Sequence, residues 1–316
     1  MNDPRHRPRL VIVGSVNMDL VLRVPHQPKP GQTIRASDFA ELPGGKGANQ
    51  AVAAARLGAE SIMIGRVGDD AFGGTLRSQL AGAGVQIDAL QTTPGPSGVA
   101  LISVDDDGQN AISIVAGANG RVSLDDVRAA ESIIASADAL LVQFELPIEV
   151  VAEAVTIAGR HEVMTIVDPA PAPPRGVALP EALYHVDVLS PNQTEAADLA
   201  GIEVDDLAGA ERAARLLLQR GARCIVVKLG PDGALIVASE APARHVPSIT
   251  VEPIDTTAAG DAFTAAMAVA LAEGEAIDSA VRFGCIAGAL ATTTLGAQPA
   301  MPMRQRVQSA MQQKTP

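Results

Sequence analysis

The chain has no tryptophan, one tyrosine (Tyr184) and five phenylalanines among 316 residues. Single-stranded nucleic acid is gripped by aromatic rings interleaved with basic side chains, and this sequence is short of both. Basic residues number 24 against 36 acidic ones, a formal net charge of −12. That balance argues against a phosphate-backbone footprint but leaves room for one locally positive site that takes a small anion. Lysine is rarer still: Lys29, Lys46, Lys228 and Lys314 are the only four. The two cysteines, Cys224 and Cys285, cannot make a disulfide framework, and their apolar neighbours suggest buried thiols in a reducing compartment. No apolar run reaches the roughly 18 residues of a membrane span. The opening MNDPRHRPRL carries no secretory signal, so the expectation is a cytoplasmic protein without a membrane or nucleic-acid partner. The five histidines (His6, His26, His161, His185 and His245) lack metal-ligand spacing and read as surface or loop residues.

What the sequence has is a globular composition, 47% hydrophobic, and strands that alternate with helices. Strands are expected at Leu10–Val13, Ser61–Ile64, Ala139–Val142, Met164–Asp168, Val186–Ser190, Cys224–Leu229 and Ala234–Val237. Helices are expected at Gly47–Leu57, Phe72–Ala83, Thr194–Ala200, Ala208–Arg220, Ala258–Ala272 and Ile277–Thr292. Gly58, Gly84 and Gly221 stand where helices stop. Helical crossovers between apolar strands imply a parallel sheet covered on both faces. Two stretches break the rhythm. Val99–Val104 and Ala111–Val115 flank an Asp-Gly turn and read as a hairpin. Asp19–Arg35 is extended, since Pro25, Pro28 and Pro30 exclude a helix. Together they predict a small separate sheet. Pro169–Pro180 reads as a surface loop.

Two glycine constellations carry the chemistry. Gly44-Gly45-Lys46-Gly47-Ala48-Asn49-Gln50 opens a helix. Its glycines let a ligand approach the backbone, and the helix start adds free N–H groups and a positive dipole end. It matches neither G-x-x-x-x-G-K-[ST] nor G-x-G-x-x-G, and a tight turn with close helix packing explains it about as well. Asp255-Thr256-Thr257-Ala258-Ala259-Gly260-Asp261 precedes an apolar helix, with Thr256 or Thr257 as the expected N-cap. Backbone N–H groups of Ala259, Gly260 and Asp261 could cradle phosphate, and Asp261 could accept a proton from a hydroxyl. An acidic residue in a first helical turn is also favoured by the dipole alone. Asn17 and Asp19 after the first strand suit sugar hydroxyls, or simply a strand end. Asn192 and Glu195 suit Mg²⁺ through its waters, or an ordinary capped helix start. Glu145 follows a strand, and Gly230 and Gly233 fit a nucleotide turn and a plain hairpin alike.

The two constellations, their order and their separation resemble the PfkB-type carbohydrate-kinase superfamily. Supporting stretches are Gly14–Asp19, Gly44–Ala54, Ala116–Asn119, Pro191–Glu195, Asp255–Phe263 and Gly296–Pro299. The pattern lies nearest to the ribose-phosphorylating branch. This resemblance implies a three-layer α/β/α sandwich with a mainly parallel sheet and a small β-sheet lid. It implies one kinase domain over residues 1–316, with lid segments near 19–43 and 97–117, and a homodimer through the lid. The implied reaction moves the γ-phosphoryl group of ATP to the 5-hydroxyl of D-ribose. Asp261 would be the base, with an anion hole at Ala258, Ala259 and Gly260. Asn17, Asp19, Gly44, Gly45, Lys46, Gly47, Asn49 and Glu145 would line the sugar pocket. Asn192 and Glu195 would sit near Mg²⁺ and the phosphates. Lys228, Leu229, Gly230, Pro231, Asp232, Gly233, Gly260 and Cys285 would contact ATP. Asp255 and Thr257 would bind K⁺ with main-chain oxygens near Ala291, Thr294, Gly296 and Ala300. The chain departs from that branch at Cys285 (often His), Lys228 (a small hydroxyl residue), Ala300 (Ser) and Thr294-Leu295 (a basic pair). These positions bear on nucleotide and K⁺ binding and leave the transfer chemistry intact. The same scaffold acting on deoxyribose, another sugar or a nucleoside is the alternative. A sugar-binding protein without activity is a remote one.

Overall fold

Along the first strand, Leu10 and Ile12 belong to one buried cluster while Val11 and Val13 belong to another. Successive strand side chains point to opposite faces, so the central sheet is buried on both sides. The computed structural model describes residues 7–239 and 241–312; His6 and Lys314 therefore lie outside the described residues. The strands are β1 (Arg9–Val13), β2 (Asn17–Arg23), β3 (Asp38–Gly44), β4 (Glu60–Gly68), β5 (Leu90–Thr93), β6 (Gly98–Val104) and β7 (Asn110–Val115). They continue as β8 (Ala139–Gln143), β9 (Met164–Asp168), β10 (Val188–Leu189), β11 (Cys224–Lys228), β12 (Ala234–Ala238) and β13 (Arg244–Val246). The helices are α1 (Lys46–Arg56), α2 (Ala71–Gly82), α3 (Leu124–Ala129), α4 (Glu131–Ala135) and α5 (Ile148–Arg160). Then come α6 (Gln193–Ala200), α7 (Leu207–Gln219), α8 (Ala259–Ala272), α9 (Ile277–Ala291) and α10 (Arg304–Gln312).

Nine strands form one sheet in the order β13-β12-β11-β10-β9-β8-β1-β4-β5. The run from β11 to β5 is parallel, and β12 and β13 join antiparallel. Helices α1, α2, α8, α9 and α10 pack into the cluster on one face. Helices α3 to α7 pack into the cluster on the other. This is the expected three-layer α/β/α sandwich. The chain leaves β1 for β4 and β5 on one side and returns to β8 on the other. At such a switch point a crevice opens outside the carboxyl ends of the strands. The glycine-rich start of α1 stands there, because Gly47 packs directly on Gly14 at the end of β1.

The expected second sheet is present, in the order β3-β2-β6-β7. Strand β2 pairs parallel with β6, from Asn17 opposite Gly98 to Arg23 opposite Val104, and β6 turns into β7 through Gly108. The three prolines fall in the irregular stretch 24–37, so β2 ends at Arg23 and β3 supplies the strand that the prolines deny. One expected strand, Val186–Ser190, shortens to Val188–Leu189. Asp187 is occupied with Thr165: its carboxylate accepts from the Thr165 N–H at 2.8 Å, and its own N–H donates to the Thr165 hydroxyl at 3.1 Å. Side chains there replace ladder bonds.

The contact of α1 with β1 gives a stability prediction. A Cβ on Gly47 would stand 2.6 Å from the Gly14 backbone, whereas one on Gly74 in α2 would meet nothing within 4 Å. Gly47→Ala is expected to lose about 1–3 kcal/mol by overpacking, and Gly74→Ala to gain about 0.5–1 kcal/mol as a helix-interior glycine replaced. Urea unfolding of the two variants checks both signs.

Candidate active site

The functional side chains sit where strands end. Asn17 follows β1, Glu145 follows β8, Asp168 closes β9, Asn192 follows β10 and Lys228 closes β11. The carboxyl ends of the parallel strands therefore converge on one cleft, which α1 and α8 enter by their N-termini.

Asp261 lies in the first turn of α8 and is 4% exposed. Its carboxylate accepts from Asn49 Nδ2 at 2.9 Å and from Gln50 Nε2 at 3.2 Å. Burial pushes its pKa up to about 6; Lys46 opposes the rise, while Asp168 and Glu145 add to it. The expected threonine N-cap is not there. Ala258 occupies that position in the left-handed region (φ 57°), and no side chain caps the helix. Thr256 instead accepts the Ala259 N–H through its carbonyl at 3.3 Å. A cap would have satisfied the first-turn N–H groups; without one, those of Gly260 and Asp261 have no intrahelical acceptor. A non-glycine residue held at positive φ is costly, and such residues cluster at functional sites.

On the other side of Asp261 lie the residues expected for a sugar. Asn49 Oδ1 is buried and accepts no hydrogen bond from the protein. Asn17 is buried, and its Oδ1 accepts from Asn119 Nδ2 at 2.7 Å; Asn119 in turn accepts from the Val16 N–H at 2.9 Å. Asp19 is raised to about 7 by burial, with Glu145 and Asp261 adding repulsion. Glu145 accepts from the Ser15 hydroxyl and from the Lys46 N–H, the latter at 3.1 Å. Gly44, Gly45 and Gly47 are required by close approach. A Cβ on Gly44 would strike the Asp19 carboxylate, one on Gly45 would stand 2.7 Å from the Asn17 nitrogen, and Gly45 has φ 86°. Burial alone would lower the Lys46 pKa, but Asp261, Asp168, Glu145 and Glu195 together hold the ammonium well above its ordinary value.

A cavity of about 530 Å³ opens on the far side of the α8 N-terminus. It is lined by Lys228, Gly230, Pro231, Gly233, Gly260 and Cys285, six of the residues read as nucleotide contacts. Leu229 and Asp232 do not line it: Leu229 is packed in the core, and the Asp232 carbonyl accepts from His245. The sequence reading missed the apolar wall Ile249, Val251 and Pro253, and the small residues Gly288 and Ala289. Irregular loop and mid-helix alanine give no sequence signal. Cys285 is buried, and burial pushes its thiol up to about 12, so it is a wall and not a nucleophile.

Asn192 and Glu195 form a reciprocal capping box on α6, each N–H donating to the other side chain at 2.8 Å. Burial raises Glu195, Lys228 lowers it, and Asp168 raises it again, with a net rise. Asp255 accepts from the Thr257 N–H at 2.9 Å and the Gly296 N–H at 2.8 Å, which joins the loops 255–257 and 291–296. Burial opposes it, yet these bonds hold its carboxyl below the usual range. Ala300 is buried, its N–H donating to the Ala297 carbonyl at 3.2 Å. Asp168 was read only as a strand end. It accepts from Lys228 Nζ at 2.7 Å and from Gln50 Nε2 at 2.9 Å, and Gln143 donates to Gln50 at 2.6 Å.

This cleft lies within a stretch, residues 7–304, that matches the profile of the pfkB family carbohydrate kinases, and the chain belongs to that family. Its relatives include a ribokinase of Haemophilus influenzae, 39% identical over 300 residues that cover 95% of this chain and 97% of that one. A ribokinase of Bacillus subtilis is 39% identical over 303 residues, 96% and 99% of the two chains. The fold superposes on Arabidopsis thaliana ribokinase complexed with ribose and ATP with a TM-score of 0.89, at 33% identity, covering 98% of this chain and 100% of that one.

The raised carboxyls have a measurable consequence. Native Asp19 and Asp261 hold protons more tightly than the unfolded chain does, so their stabilising contribution is full below the unfolded pKa of 3.8 and is lost as pH rises through about 6 to 7. Asp19→Asn, which mimics the protonated form, is expected to melt higher than wild type at about pH 8 and to lose that advantage below about pH 5. Thermal melts across this range check it.

Proposed function

We propose that the chain is an ATP-dependent ribokinase that phosphorylates the 5-hydroxyl of D-ribose. The observation that carries this reading is the placement of Asp261. It is a buried carboxylate in the first turn of an uncapped helix, bonded to Asn49 on the sugar side, with the large cavity on the other. In the proposed reaction Asp261 accepts the hydroxyl proton as the hydroxyl oxygen attacks the γ-phosphorus. The bond from that phosphorus to the bridging oxygen breaks, and ADP leaves. The N–H groups of Gly260 and Asp261 face the charge that develops on the phosphoryl oxygens, while that of Ala259 is taken by the Thr256 carbonyl at 3.3 Å. Asn49 Oδ1, which takes no bond from the protein, accepts from a sugar hydroxyl, and Asn17, Asp19 and Glu145 supply further acceptors.

Bound Mg²⁺ would be held near Asn192 and Glu195 and would supply positive charge against that of the phosphates. Glu195 leaves one carboxylate oxygen outside its capping box, and an ion that keeps its waters suits a second-sphere contact of that kind. For K⁺, the proposed ligands are the Asp255 carboxylate, tied to this loop through the Gly296 N–H, and main-chain oxygens of 291–296, oxygen donors with one negative charge that suit a monovalent cation.

The segments near 19–43 and 97–117 are read as the lid of this single domain, excluding water from the transfer. The lid sheet exposes Phe39, Leu101 and Val115 on one face and Ile112 and Ile114 on the other, each more than 40% accessible, which favours pairing with a second copy. Among the described residues no helix is long and apolar enough to cross a membrane and both cysteines are free, which supports a cytoplasmic location.

A coupled ADP-release assay tests the reading. Turnover with Mg·ATP and D-ribose is expected, increased by K⁺, and rising with pH through about 6 as Asp261 ionises. Asp261→Asn should lower kcat by roughly 10²–10⁴-fold while ribose still binds. A preference for a nucleoside, or ribose binding without ADP release, would overturn the assignment.

A further inference from the structure

We propose that Lys228 is the side-chain cation that meets the transferred phosphoryl group, and that Asp168 is the residue that positions it and couples it through Gln50 to Asp261. The proposal rests on the kinase reading above and adds two roles to it.

The geometry is specific. Lys228 Nζ lies 3.7 Å from where a Cβ on Gly260 would stand, which is beside the first-turn N–H groups of α8. It also lines the large cavity, so it borders both the anion hole and the nucleotide side. An ammonium has three donors. Among the described residues Asp168 alone accepts one of them from a side chain, at 2.7 Å. The remaining donors are left for phosphate oxygens. Lys228 is one of four lysines in a chain of 316 residues, and with Lys46 it is one of two at this cleft.

Asp168 is the tether. It is 1% exposed, and each of its oxygens has work. Oδ1 takes Lys228, while Oδ2 takes Gln50 Nε2 at 2.9 Å and the Thr264 hydroxyl at 3.3 Å. The same Gln50 nitrogen reaches Asp261 at 3.2 Å, and Gln50 is itself fixed by Gln143 at 2.6 Å. Gln50 thus stands between two carboxylates and ties the lysine's anchor to the base. The charged groups that act on Asp261 are Lys46 from α1, Asp168 from β9 and Glu145 after β8; Asp19 from β2 and Lys228 from β11 complete the surroundings. Removing the Asp168 charge makes Asp261 easier to ionise.

A buried pair such as this can also be purely structural, so the test uses readouts that packing does not move. The first is the gain in affinity from Mg·ADP to a non-hydrolysable Mg·ATP analogue, measured by calorimetry. In wild type that gain includes the contact of the terminal phosphate with Lys228. In Lys228→Met it should shrink about tenfold, and kcat should fall about 10²-fold with the ribose KM within about twofold, as for loss of one transition-state donor. Asp168→Asn should lower kcat and move the acid limb of the kcat profile to lower pH. The double variant removes both charges at once and leaves no unpaired buried ion. It should fold where a single variant fails to, and show the same reduced affinity gain. An unchanged gain in every folded variant, with wild-type turnover intact, overturns the assignment of Lys228 and leaves the kinase. An acid limb that does not move in Asp168→Asn overturns the coupling. A wild-type protein that binds no adenine nucleotide overturns the kinase reading and this proposal with it.

Discussion

One ammonium in the cleft, that of Lys46, holds the site together. Lys46 stands among Asp261, Asp168, Glu145 and Glu195, and their joint field keeps it charged against the cost of burial. Without it, carboxylates drawn to the ends of neighbouring strands would repel one another or take up protons. Asp19 and Asp261 show how near that limit is, since burial already pushes them up to about 7 and about 6. The balance sets the state of Asp261, the proposed base. It is protonated more readily than a surface carboxylate, yet ionised near neutral pH, where a general base is most effective.

The fold explains why these groups meet. A parallel sheet sends all its strand ends to one edge, and the order β8-β1-β4 splits the connections there. Two helices then point their N-termini into the gap, one opened by Gly45 at φ 86°, the other by Ala258 at φ 57°. Neither has a side-chain cap. Side chains cap α2, α3, α6 and α7 through Asp70, Ser123, Asn192 and Asp206, while α4, α5 and α9 also lack such a cap. The start of α8 leaves the N–H groups of Gly260 and Asp261 open to an anion, whereas those of Lys46, Gly47 and Ala48 in α1 are taken by Glu145 and Ser15.

Much of this was legible in the sequence, for identifiable reasons. Gly44–Gln50 and Asp255–Asp261 are local motifs, so their residues are adjacent in the chain and in space. The small sheet was legible because prolines and an Asp-Gly turn act locally. Asp168 was hidden, because it ends an apolar strand and looks like its punctuation; only the tertiary fold brings Lys228, Gln50 and Asp261 to it. Asn119 was quoted within a motif stretch, but its bond to Asn17 spans 102 positions and leaves no local trace. Helix α5 was overlooked although Val151, Ala154, Val155 and Ala158 follow helical spacing, and α3, α4 and α10 are too short or too polar to show a stripe. The threonine cap was expected from propensity, but Ala258 at φ 57° takes that position.

The most direct test of the account is the chemical identity of the product. Protein, Mg·ATP and D-ribose are incubated, and the phosphorylated sugar is assigned by phosphorus and carbon NMR. The account predicts phosphate on the 5-oxygen of ribose, in amounts equal to the ADP formed. Phosphate on another oxygen, or ADP accompanied only by inorganic phosphate, would contradict it.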